Sequence, residues 1–183
     1  MARLYLVRHG EPVGTWTDSH DPGLSPLGHE QAQNAAERLS MFGQLSVVTS
    51  PLRRAQETAK PFAALSRATA RIAEAVAEIP TPAGVAIEKR GEWLRGVMAG
   101  KWSEAEQSLQ AWRGRVVAYL AGLDSDTAIF SHYVAINVAV GAARHDDRVT
   151  VFAPTHASIT ILDTLRDGLS EVEIGQTGQT SVR

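Results

Sequence analysis

The chain has 183 residues, 44% of them hydrophobic and 21% charged, the composition and size of one soluble globular domain with a substantial core. Its net charge of -2 gives no general affinity for nucleic acid or for acidic membranes, so an anionic ligand must be caught by a local cluster of side chains. The absence of cysteine excludes disulfides, thiol catalysis and Cys-ligated zinc, and no apolar run is long enough to span a bilayer.

In chain order, Leu4, Tyr5, Leu6 and Val7 form an uninterrupted apolar run, which predicts a strand buried on both faces. The run stops on Arg8-His9-Gly10-Glu11, too early for a signal-peptide core, so a cytoplasmic location is the default expectation. Ser25 as N-cap and Pro26 at the first helical position open a predicted helix whose apolar face is Ala32, Ala35, Ala36, Leu39 and Phe42. Residues 45–50, "LSVVTS", predict a second buried strand. Ser50-Pro51 then starts a helix with Leu52, Ala55, Ala59 and Phe62 as its stripe and Arg53 and Arg54 in its first turn. The apolar segment 70–78 runs into Glu78 just before a Pro-containing loop. Residues 79–102 are the least regular, and their prolines and glycines predict a covering loop with room for one short helix.

A third long helix is expected from Ser103, with Glu106 completing a capping box and Leu109, Trp112, Val116 and Leu120 facing inward. "TAIFS" (127–131) predicts a further buried strand, followed after Ser131 by a fourth helix. "ASITILD" and "SEVEIG" alternate apolar and polar residues around Asp167-Gly168, which predicts an antiparallel hairpin. Alternating strands and helices elsewhere imply an α/β fold: a mostly parallel central sheet, helices on both faces, and an antiparallel C-terminal edge. No internal repeat or linker interrupts residues 1–183, so a single domain with a short variable cap at about 79–102 is expected.

Ligands of open α/β sheets bind beyond the C-terminal ends of the strands. The first strand delivers Arg8 and His9 there. The second ends at Ser50 and feeds the helix carrying Arg53 and Arg54, the strand ending at Ser131 delivers His132, and Glu78 precedes its loop. A lone Arg-His pair would simply mark where a strand leaves the core. Two histidines, at least two arginines and a carboxylate converging on one rim call for chemistry instead. Guanidinium forks match phosphoryl oxygens and stay charged, and a helix N-terminus adds oriented N–H groups. A neutral imidazole can attack phosphorus when its other nitrogen is fixed, and a carboxylic acid can protonate the leaving alkoxide. Arginines and a second histidine can supply the positive charge, so no metal or other cofactor is expected. The set suits phosphoryl transfer through a phosphohistidine.

"LVRHGE", "LSPLGHEQA", "SPLRRAQETA" and "SHYVAIN" resemble the ordered motifs of the histidine phosphatase superfamily, the phosphoglycerate-mutase-like proteins, and the resemblance runs from residue 3 to about 162. It implies a three-layer α/β/α sandwich. It also implies that His9 is the phosphorylated nucleophile and that Arg8, Arg54 and His132 complete the phosphate pocket. Arg54 fits better than Arg53, because the family's arginine directly precedes an alanine, here Ala55. For the acid, Glu78 is preferred. Glu74 lies within an apolar segment, Glu88 and Glu92 lie in a charged stretch, and Glu11 is better suited to orienting neighbours. Two departures stand out. Tyr133 occupies a position where the family commonly has glycine, where it could narrow the pocket mouth or contact substrate. His156 in "PTHASIT" stands where asparagine is frequent, and it is expected to be a loop histidine satisfied by backbone.

Other polar groups carry little. "DSHD" (18–21) reads as a solvated turn rather than a metal site, "RHDD" (144–147) as a charged loop, and His29 as a surface residue. Trp93 and Trp102 are either a small satellite core or a lid. Three functions remain: a metal-independent phosphatase for a small phosphomonoester, a phosphoglycerate-mutase-type phosphotransferase, and a pseudo-enzyme that only binds phosphate. A mutase must shield its intermediate from water under an elaborate cap. Residues 79–102 are short for that, and "PVGTWTDSHDPG" (12–23) replaces the Asn-rich segment of phosphoglycerate mutases, which favours the phosphatase. The expected partner is a small phosphorylated substrate, with no nucleic acid and no membrane; no feature specifies an oligomeric state.

Overall fold

The N-terminal apolar run is strand β1 (Arg3–Arg8), buried from Leu4 onward. The structure, a computed structural model, describes residues 1–14 and 21–178. The "DSHD" residues 18–20 lie outside them. Strand β1 sits inside a six-stranded sheet with β2 (Ser46–Thr49), β3 (Arg71–Ile72), β4 (Thr127–Ser131), β5 (Ile159–Leu165) and β6 (Gly168–Glu173) in the order β3-β2-β4-β1-β5-β6. Strands β3, β2, β4 and β1 run parallel, whereas β5 is antiparallel to β1 and β6 to β5. The sheet is therefore mixed, with the expected antiparallel C-terminal side.

Alternation along the strands separates two apolar layers. Tyr5, Val7, Val47, Ala128 and Phe130 pack against helices α1 (Pro26–Ser40) and α2 (Arg53–Ser66) through Ala35, Ala36, Leu39, Ala59 and Phe62. Leu4, Leu6, Val48 and Ile129 face α3 (Arg90–Met98), α4 (Gln107–Ala121) and α5 (Tyr133–Arg144) through Leu94, Leu109, Trp112, Val116 and Ile136. Among the described residues, no helix is long and apolar enough to cross a membrane.

The first helix is capped as expected: Gly28 N–H donates to Ser25 Oγ at 3.0 Å. Its stripe ends at Leu39, and Phe42 lies past the helix end, 42% exposed, against the Tyr5 ring. Two helix starts differ from expectation. Helix α2 begins at Arg53 rather than at Ser50-Pro51, and the buried Ser50 hydroxyl is shared between the Leu52 N–H at 3.2 Å and His132 Nε2 at 2.7 Å. Helix α4 begins at Gln107. Ser103 lies in a 3-10 turn with its hydroxyl and N–H bonded to Asp147, which draws it away from the capping box. Segment 70–78 pairs only at Arg71–Ile72, then coils into a 3-10 turn whose Val76 carbonyl accepts the Ser131 hydroxyl at 2.7 Å. That bond anchors the chain just before Glu78. The irregular segment after it contains a 3-10 turn and α3. Trp102 is buried against Trp112 at 6.0 Å between ring centroids, so it belongs to the core and is not a lid.

Candidate active site

Strand register brings the polar ends together. Arg8 stands opposite Ser131 and Thr49 opposite Phe130, so the exits of β1, β4 and β2 lie side by side. His9 N–H continues the ladder to the Ser131 carbonyl at 3.0 Å. Gly10 N–H donates to Thr58 Oγ1 at 2.9 Å, and the same hydroxyl donates to the Arg54 carbonyl at 2.7 Å, tying the end of β1 to α2. Gly10 also lies against the α1 backbone: a Cβ there would fall 2.5 Å from the Gly28 carbonyl oxygen. Only glycine permits that approach. Glu11 orients its neighbours, accepting the Ser25 hydroxyl at 2.8 Å.

The His9 ring is fully buried, with Nδ1 2.8 Å from the Gly10 carbonyl oxygen. A carbonyl can only accept, so Nδ1 carries the hydrogen and Nε2 keeps its lone pair. Burial, then the His132, Arg54 and Arg8 groups, hold this imidazole well below its usual pKa, so it is neutral at working pH. His132 lies 5.2 Å from it between ring centroids. Its Nε2 is 2.7 Å from Ser50 Oγ, while its buried Nδ1 has no hydrogen-bond partner among the described residues. Burial first, then Arg54, Arg8 and Arg90, keep His132 well below its usual range as well.

Arg8 is buried, donates from Nη1 to the Pro154 carbonyl at 2.7 Å, and lies over the Tyr133 ring at 5.1 Å. Desolvation lowers its pKa to about 10, against the opposing pull of Glu78. Tyr133 is only 8% exposed, and its ring face supports the Arg8 guanidinium. The two adjacent arginines part company at the start of α2. Arg54 is buried among the site's groups, whereas Arg53 is exposed and paired with Glu57 at 2.7 Å. One N–H of the first turn of α2 is already held by a carboxylate of the chain. Arg53 N–H already donates to Asp21 Oδ1 at 2.8 Å, which brings that carboxylate to 3.8 Å from Arg54 Nη1. If Arg54 holds phosphoryl oxygens, Arg54→Ala should cost about 2–4 kcal/mol of transition-state stabilisation, read from kcat/KM, while Arg53→Ala should be nearly silent.

Of the four candidate acids, Glu74, Glu88 and Glu92 are exposed and Glu78 is buried. Desolvation raises the Glu78 pKa, partly offset by the Ile79 N–H at 2.9 Å and by Arg54, Arg90 and Arg8. The structure thus brings Arg8, His9, Arg54, Glu78 and His132 into one cluster. It adds three residues that the sequence reading did not assign to the site. Ser50 reads as a helix cap and also meets His132. Arg90 sits in a charged stretch that reads as solvated; it is half-buried, donates from Nε to Thr81 Oγ1 at 2.6 Å and acts on Glu78. His156 does not behave as a loop histidine remote from chemistry, because its ring lies 5.7 Å from that of His9.

A family model described as histidine phosphatase superfamily (branch 1) matches residues 4–177. A probable phosphoglycerate mutase of Yersinia enterocolitica is 39% identical over 69 residues, a stretch covering 34% of this chain and 31% of that protein. A putative alpha-ribazole-5'-phosphate phosphatase of Escherichia coli superposes with a TM-score of 0.78 at 19% identity, covering 96% of this chain and 98% of that one. Phosphoserine phosphatase of Entamoeba histolytica, bound to 3-phosphoglyceric acid, superposes at 0.72 with 22% identity, covering 97% and 98%. At those identities the solved structures establish the shared fold.

Proposed function

This chain belongs to the histidine phosphatase superfamily, and from that membership and the site's geometry we propose that it is a metal-independent phosphatase hydrolysing a small phosphomonoester through a phosphohistidine. One observation carries the reading: the His9 imidazole is neutral, with Nδ1–H spent on the Gly10 carbonyl and Nε2 left as the nucleophilic lone pair beside Arg8, Arg54 and His132. In the first step Nε2 bonds to phosphorus as the P–O ester bond breaks. The leaving oxygen takes the Glu78 proton. The two arginines and His132 hold the equatorial oxygens, where charge accumulates. In the second step the Glu78 carboxylate takes a proton from water, whose oxygen displaces His9 and releases inorganic phosphate.

The local identity to a probable phosphoglycerate mutase supports a second reading, transfer of the phosphoryl group to another hydroxyl of a phosphoglycerate. We favour hydrolysis because segment 79–102 is short, supplying a 3-10 turn at Ile87–Lys89 and one nine-residue helix, α3. The test is a panel of phosphomonoesters incubated in EDTA, with rapid quench of the enzyme. Acid-labile phosphate should trap on His9 and then decay to inorganic phosphate in water without a bisphosphate cofactor. A long-lived phosphohistidine that discharges only to a phosphoglycerate would replace the phosphatase by the mutase.

A further inference from the structure

The turn before β5 is built onto the end of β1. Arg8 N–H donates to the Ser158 carbonyl at 3.2 Å, and Ala157 N–H donates to the Arg8 carbonyl at 2.9 Å and, more distantly, to that of His9 at 3.3 Å. The Arg8 side chain holds the Pro154 carbonyl, and the Ser158 hydroxyl closes the turn on the Thr155 carbonyl at 2.8 Å. From the other side Thr155 N–H donates to the Gln176 carbonyl at 2.9 Å. These bonds over-determine the backbone, and they impose a left-handed φ of 55° on Ala157, a region that residues with a Cβ seldom occupy. Such strain persists only where the surroundings enforce it, and it is concentrated at functional sites. The residue it aims is His156.

Sheet order says where His156 goes. Strand β1 lies between β4 and β5. His132 follows β4 and His156 precedes β5, so the two imidazoles reach His9 from the two neighbours of its own strand, at 5.2 and 5.7 Å between ring centroids. We propose that His156 is a third imidazole of the phosphoryl site, donating a ring N–H to an oxygen of the transferred group on the side of His9 away from His132. This rests on the phosphatase reading above and adds to it a contact from outside the β1, β2 and β4 exits. Burial, then the Arg8 charge, lower the His156 pKa to about 4, so the ring is neutral wherever a phosphate ester is dianionic. It contributes a fixed donor and no further cation. The charge acting on it is that of Arg8, whereas Glu78 also couples to Arg54 and Arg90. Arg8 is itself one of the groups assigned to the phosphoryl oxygens, and on this proposal His156 is set with it.

The test is vanadate affinity, followed by ⁵¹V NMR, together with the rate of His9 phosphorylation by p-nitrophenyl phosphate. His156→Ala should weaken vanadate binding and slow phosphorylation about 10- to 100-fold, the usual worth of a hydrogen bond to a charged group. His156→Gln, which keeps an N–H at similar reach, should recover most of that loss. His156→Phe, which keeps a ring packed on His9 and has no donor, should not. Full activity in the Phe variant would reduce His156 to packing and overturn the proposal, as would an unchanged Ala variant. A wild-type enzyme that neither binds vanadate nor accepts phosphate would instead overturn the phosphatase reading itself.

Discussion

Replacing His9 by alanine is expected to abolish turnover, with a loss on the order of 10⁴-fold or more, since removing a covalent nucleophile leaves only binding and electrostatic terms. The fold should survive. The backbone contacts that place His9 run through its own N–H to Ser131 and through Gly10 N–H to Thr58, and neither involves the imidazole. Circular dichroism and a thermal melt separate lost chemistry from lost structure. Radiolabelled substrate should leave acid-labile phosphate on the wild-type protein and none on the variant. Vanadate should still bind the variant weakly, because Arg8, Arg54 and His132 remain. Normal turnover by His9→Ala would remove the phosphohistidine mechanism altogether.

Glu78→Gln should slow phosphorylation of His9 by alkyl phosphates about 10²–10⁴-fold, the usual range for general acid catalysis. Aryl phosphates should lose far less, because p-nitrophenolate departs without a proton. The pH dependence follows from burial. Desolvation raises the Glu78 pKa above that of an ordinary carboxylic acid, so the proton-bearing form extends to higher pH. In the wild type, kcat/KM for alkyl phosphates should fall as pH rises through that raised value. The Gln variant has no proton to lose there, and its profile should be flat over the same limb. On the acid side His9 stays neutral well below the pH at which free imidazole protonates, so activity should persist there for aryl substrates. Equal losses on alkyl and aryl esters would exclude Glu78 as the acid.

The sequence alone determined what local periodicity encodes. Leu4 to Val7 read as a strand with two covered faces, because no charged or strongly polar residue interrupts the run. Ser25-Pro26 had to begin a helix, because the hydroxyl satisfies an orphan N–H and the proline lacks one to satisfy. Arg8, His9 and His132 were legible for the same reason: each directly follows a buried run, and strand ends in such sheets face the ligand. The choice of Arg54 over Arg53 came from the resemblance to the family's motifs, and the structure separates the two by burying one and pairing the other with Glu57.

Tertiary structure alone decided the rest, since it depends on which strands are neighbours. Placing β1 between β4 and β5 is what sets His132 and His156 on either side of His9, and the spacing from residue 9 to 156 carries no trace of it. The sequence already favoured Glu78, but only burial separates it physically from the exposed Glu74, Glu88 and Glu92, and burial is a property of everything packed around a residue. Ser50 Oγ meets His132 Nε2 at 2.7 Å while accepting the Leu52 N–H at 3.2 Å, and Ser103 leaves the capping box for Asp147. Arg90 looked solvated because its neighbours in sequence are charged, while its neighbours in space are Glu78 and Thr81. Backbone patterns are written in hydrophobic periods of two and 3.6 residues, which a chain carries within itself. The protonation of an imidazole is set instead by desolvation and by charges a few ångströms away, and those arrive from distant segments only when the chain has folded.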